Sequence, residues 1–164
     1  MEHSIRWAMM ALLWSFGACT PAPVQFALEH RDALADSAVV FIEQYAAAVS
    51  AADWDAVSEA YLDDDRLMLL ETGRIAYRSR GQLTNAFEEL SGFAASASLE
   101  LSEIHPIPLA PGIVQVLGLF DQSFTAVDGS VVSFGGALSL TLIGTDLGFR
   151  IISGHTSSAD AAGG

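Results

Sequence analysis

The stretch Ile113–Ala126, IVQVLGLFDQSFTA, then Val127-Asp128-Gly129-Ser130, then Val131–Ile143, VVSFGGALSLTLI, decides how this chain folds. Both flanking runs have strand length, are rich in Val, Ile, Leu, Phe and Thr, and are joined by an Asp-Gly turn signal, so they read as a β-hairpin. The same character extends outward. Ser98–Ile104 precedes it across a turn-prone segment, Pro106–Gly112, and Phe149–Ser157 follows across Gly144–Gly148. Consecutive strands joined by short turns form an antiparallel meander.

Upstream, the period changes from two to about 3.6. Leu28–Ala52 reads as a long helix in which Ala38, Phe41 or Ile42, Tyr45 and Val49 share one face. Asp53 is placed to cap a second, shorter helix that lines up Trp54, Val57 and Tyr61. The acid run Asp63-Asp64-Asp65 ends it. Leu67–Glu71 and Ile75–Arg80 read as strands around Thr72-Gly73, and Gly81 opens a third helix, Gln82–Ser91, with Leu83, Phe87 and Leu90 on one side. Helices followed by antiparallel strands give an α+β fold with the helices on one face of the sheet. A strongly curved sheet wrapped around the long first helix would leave a cone with an open mouth, and such concavities hold ligands.

At the chain start, Arg6 precedes an uncharged apolar run, Trp7–Phe16, then the small residues Gly17 and Ala18 and then Cys19. That is the order of a secretory signal, and the run falls short of the ~20 apolar residues that span a bilayer. The expected organisation is a signal peptide over residues 1–18, a lipid-anchor cysteine and tether over 19–36, with Pro21 and Pro23 near its start, one domain over 37–157, and a disordered tail over 158–164. Phe16-Gly17-Ala18-Cys19 resembles a bacterial lipobox, although Phe16 stands where Leu is usual; cleavage without lipid is the open alternative. Cys19 is the only cysteine, so an exported chain would otherwise carry an unpaired thiol, which acylation removes. The expected destination is the bacterial cell envelope, lipid-anchored or periplasmic, with the lipid anchor as the contact with the membrane.

Seven Arg and no Lys stand against 20 Asp and Glu, a formal net charge of −13. Such a surface repels phosphate backbones, which argues against a nucleic-acid partner. No Gly-rich phosphate loop, nucleophile elbow or dinucleotide fingerprint occurs, so no cofactor is implied. His30 and His105 show no ligand spacing with Cys19, His155 or each other, and Asp63–Asp65 lacks the alternation of a calcium loop, so no metal site is expected.

Three stretches, in this order and spacing, carry a family resemblance. They are Asp53-Trp54-Asp55 with Tyr61 and Asp63-Asp64, Gly81 opening a helix that contains Phe87, and Gly148-Phe149-Arg150-Ile151-Ile152 with His155-Thr156-Ser157. Together they resemble the NTF2-like superfamily, in particular its SnoaL-like and DUF4440-type domains, over Ser37–Ser157. The resemblance implies an NTF2-like (cystatin-like) cone, a long N-terminal helix plus two shorter helices on a curved antiparallel sheet, and a homodimer formed through the sheet. It also implies positions for isomerase-type proton abstraction. Tyr45, sixteen residues before Tyr61, matches the family's oxyanion donor. The general-base position, eight residues after Tyr61, holds Leu69, and Val131–Ile143 has no carboxylate for the acid partner. Glu71, on the strand face of Leu69, is the nearest substitute.

Two further ionisable residues are candidates. Strict alternation puts His155 on the face of Phe149 and Ile151, as a general base or ligand donor, or as a structural histidine hydrogen-bonded near the sheet end. Asp121 interrupts an apolar strand and shares a face with Leu117, Leu119 and Ser123; it lies at a solvated edge or inside the pocket with a raised pKa, and if it faces His155 the two form an acid/base dyad. Tyr45, Trp54, Tyr61, Phe87 and Phe149 are the expected ligand-binding residues. The expected function is binding of a small apolar ligand or a partner protein in or around the cone. The alternative is a cyclase, isomerase or hydratase using His155 with Asp121 or Glu71.

Overall fold

The computed structural model describes residues 28–158, which leaves the proposed leader and Cys19 outside the described residues. In chain order the elements are α1 (Leu28–Ser50), α2 (Trp54–Glu59), β1 (Met68–Glu71), β2 (Arg74–Tyr77), α3 (Arg80–Phe93), β3 (Ala94–Ala110), β4 (Ile113–Ala126), β5 (Val131–Thr145) and β6 (Gly148–Ser158). The strands form one six-stranded sheet, ordered β2-β1-β6-β5-β4-β3. Residues 28–36, grouped with the tether on sequence grounds, are the first turns of α1.

The α1 face read from sequence is the one that packs. Ala38, Ile42 and Val49 are fully buried against the sheet, among Val114, Val116, Leu142 and Ile151. Asp53 caps α2 by accepting from the Ala56 N–H at 3.1 Å. The third helix starts before Gly81, because Ser79 accepts from the Gln82 N–H while the Gln82 side chain accepts from the Arg78 N–H. This is a Ser-x-x-Gln capping arrangement.

Four neighbouring pairs are antiparallel, and β1 runs parallel to β6, its register set by Leu69 opposite Gly154 and Glu71 opposite Thr156. That pairing is long-range and carries no turn signal. The end of α2 is stitched to the same strand, since Leu62 N–H donates to Ile151 O and Ile151 N–H to Ala60 O. β3 also runs further than expected, continuing through Pro106 and Pro108 to Ala110. The two prolines are two residues apart, so their nitrogens point the same way. β3 is the outer strand, whose free edge tolerates missing donors.

Candidate functional site

The inner sheet face and the helices enclose two connected hollows, a small lobe of about 100 Å³ and a larger one of about 320 Å³. Both are bordered by Tyr45, Tyr61, Leu69, Glu71, Phe120, Gln122 and Thr156. Apolar strand residues such as Leu101, Leu138 and Leu140 wall the small lobe. The larger opens between the sheet and α3, past the stacked rings of Trp54 and Phe87, whose centroids lie 5.7 Å apart.

At the junction, the hydroxyls of Tyr45 and Tyr61 are 2.7 Å apart, with the rings edge to face at 81°. Their placement follows from local structure: Tyr45 is one helical turn past Ile42 on the buried face of α1, and Tyr61 pairs with Ile151 at the end of α2. Burial raises both phenols above their ordinary value. Tyr61 is raised further because Tyr45 opposes a negative charge there and their shared hydrogen bond favours the neutral form of Tyr61 while easing the rise at Tyr45; Glu71 raises both. Both therefore stay protonated at neutral pH. Whichever hydroxyl donates within the pair, the acceptor keeps its own proton for a third partner.

Glu71 is half-buried beside this pair. Desolvation raises its carboxyl above 4.5, and the charge of Arg74, its register partner across the β1–β2 hairpin, offsets part of that rise. Among the described residues, none donates to or accepts from the side chains of Glu71, Gln122 or Thr156. A phenol proton, a carboxylate, a carboxamide and a hydroxyl thus border the same two hollows. Chemically the site can hold a neutral molecule by an oxygen and bring a proton acceptor near it.

Four of the expected ligand-binding residues, Tyr45, Trp54, Tyr61 and Phe87, line these hollows. Phe149 does not: it is buried behind α1, its ring 6.3 Å from Phe41. His155 is a correction. Ile152 is the extra residue of a bulge between the Leu142–Ile151 and Thr141–Ser153 pairs, so the alternation changes phase there. Gly154 takes the inward position, where a β-carbon would meet Leu140 and Leu69. His155, opposite Ser139 and Leu70, takes the other face and is exposed there, although it is still among the residues that border the small lobe. Asp121 is exposed on that face too, opposite Glu100 and Gly135. Because His155 pairs with Ser139, Ser139 with Leu117, and Asp121 lies four residues beyond Leu117, the two are roughly 16 Å apart by ordinary strand spacing. No dyad forms. Gln122, Thr156 and Phe134 were missed; for Gln122 a signal existed, a lone carboxamide on the otherwise apolar face of Phe120 and Phe124.

The family model for the SnoaL-like domain matches residues 21–161. The chain belongs to the SnoaL-like domain family. No curated protein sequence matches it significantly. Among solved structures, an NTF2-like superfamily protein from Salmonella enterica serovar Typhimurium superposes with a TM-score of 0.68 at 14% identity, covering 80% of this chain and 95% of that one. A Caulobacter vibrioides protein with a cystatin-like fold gives 0.62 at 21%, covering 77% and 89%. A candidate scytalone dehydratase from Novosphingobium aromaticivorans gives 0.67 at 11%, covering 76% and 87%. At these identities the likeness establishes the fold of this SnoaL-like protein, an α+β cone, and nothing about its chemistry.

Proposed function

We propose that this SnoaL-like domain binds a small, neutral, largely apolar molecule that carries an acceptor oxygen, held by the Tyr45–Tyr61 pair at the floor of the cone. The carrying observation is the 2.7 Å phenol pair inside an apolar hollow. A phenol proton left over from that pair favours a ketone, ester or alcohol oxygen. The raised carboxyl of Glu71 and the net charge of −13 disfavour an anion. Calorimetry of the purified domain with short aliphatic ketones should show binding, and Tyr45→Phe should weaken it roughly fivefold, the worth of one hydrogen bond of about 1 kcal/mol. Binding that is equally tight in the variant would remove the phenol pair from the site.

A second reading has its own support, because Glu71 faces the same hollow as the phenols. In it Glu71 takes a proton from the carbon next to a carbonyl polarised by Tyr45, without His155 or Asp121. The proposal retains export, with Cys19 as the first residue of the mature chain and lipidated in the cell envelope. Leader order and the lone thiol support this. Intact mass of the protein from its producing cells should show loss of residues 1–18 and an acylated N-terminus, and a mature species retaining those residues would refute it.

A further inference from the structure

We infer that the ligand is an elongated amphiphile whose oxygen-bearing head sits at the tyrosine pair and whose apolar chain leaves the cavity over Phe134 and Val132. The inference rests on the cavity reading above and adds the ligand's shape and its exit. The inner face of β5 carries Leu142, Leu140, Leu138, Gly136, Phe134 and Val132 in sequence, as their pairing with Val114, Val116, Gly118, Phe120, Gln122 and Phe124 requires. Along that one face, exposure climbs from 0% at Leu142 and 9% at Leu138 to 41% at Phe134 and 49% at Val132. An inner face that emerges into solvent ordinarily turns polar, since wet apolar surface is costly. Here it stays apolar to the end of the strand.

An aromatic ladder bridges the two regimes. Phe134 sits edge-on to buried Phe120 at 6.2 Å and beside Phe124 at 6.1 Å, so a run of rings leads from the larger lobe onto the rim, with the Gln122 carboxamide set between Phe120 and Phe124. Leu90 of α3 lines the same lobe, and Phe93 at the end of that helix is exposed. The Phe93 carbonyl accepts from the Val127 N–H, which ties the helix end to the β4–β5 turn. The lobe, about 320 Å³, lies at the small end of the ~300–1,000 Å³ typical of small-molecule sites. A compact ligand would fill it, covering the inner side of Phe134 and leaving Val132 wet. A chain continuing outward covers Val132 as well, while Glu71 at the inner end selects a neutral head over a carboxylate.

The test is a homologous series of methyl ketones, pentan-2-one to tridecan-2-one, titrated into the purified domain, with decanoate as the anionic comparison. Affinity should rise by up to roughly fourfold per methylene. The rise should persist past the length that fills the lobe, and decanoate should bind more weakly than the ketone of equal length. Val132→Ser and Phe134→Ser, both at exposed positions, should flatten the upper part of the series, and Val132→Ser should leave pentan-2-one unaffected. A wild-type plateau at short chain length with pentan-2-one still bound overturns the exit path and spares the cavity reading. A continued rise that neither variant alters overturns it as well, by sending the chain elsewhere. Failure of every ketone to bind overturns both.

Discussion

Glu71 and Tyr45 lie in one hollow, and burial affects them in opposite senses for function. Burial keeps the Tyr45 phenol protonated, which makes it a dependable donor, whereas it penalises the ionised form of Glu71. The native state therefore holds the Glu71 proton more tightly than the unfolded chain does, and between the ordinary value of 4.5 and the raised native value it binds more protons. Stability contributed by this group is present at low pH and falls as pH rises through that window. Glu71→Gln should accordingly gain in melting temperature over wild type as pH increases from about 4 to 7, with Glu88→Gln on the surface of α3 as the control for net charge. An identical pH trend in both variants would place Glu71 in ordinary solvent. At this scale, legibility in the sequence was uneven. Tyr45 could be found from its sixteen-residue register with Tyr61, and Glu71 from alternation past Leu69. Gln122 is marked only as a lone carboxamide between Phe120 and Phe124, and Thr156 carries no mark at all, because a polar residue on a strand gains meaning only once its face is known.

Among the elements, β6 and β3 show where local pattern and tertiary structure part. Period-two counting along β6 holds up to Ile151, and then the bulge at Ile152 reverses the phase, exchanging His155 for Gly154 on the inner face. A bulge is set by how a strand bends against its partner, here β5, and leaves no mark in the strand's own composition. In β3 the prolines read as a turn, yet the strand runs through them because it is an edge, and edge position is a property of sheet order. Their role there is testable. Pro106→Val with Pro108→Val restores two donors along an exposed edge, so light scattering should report concentration-dependent association beyond that of wild type, with little change in melting temperature. Unchanged scattering would show that the prolines do not guard the edge.

For the whole molecule, the convex sheet face is the surface that no helix covers. Leu117 and Leu119 of β4 and Ile107 of β3 are exposed there, on a chain whose net charge of −13 otherwise keeps copies apart. The homodimer that the resemblance implies would bury this patch, and sedimentation should then show Leu117→Ser with Leu119→Ser shifting dimer to monomer; a wild-type monomer at micromolar concentration would sink that expectation. The element order, the α+β class, the buried face of α1, the Asp53 cap and the hairpin of β4 with β5 are legible in the residues alone. Each of these is written in residues close together in the chain, where periodicity and capping act. The folded chain adds that β1 lies parallel to β6, that Tyr45, Glu71, Gln122 and Thr156 border one hollow, and that the His155 and Asp121 positions take the opposite face of the sheet. Those facts depend on pairings between strands far apart in sequence and on the phase of a single bulge, which no local pattern encodes.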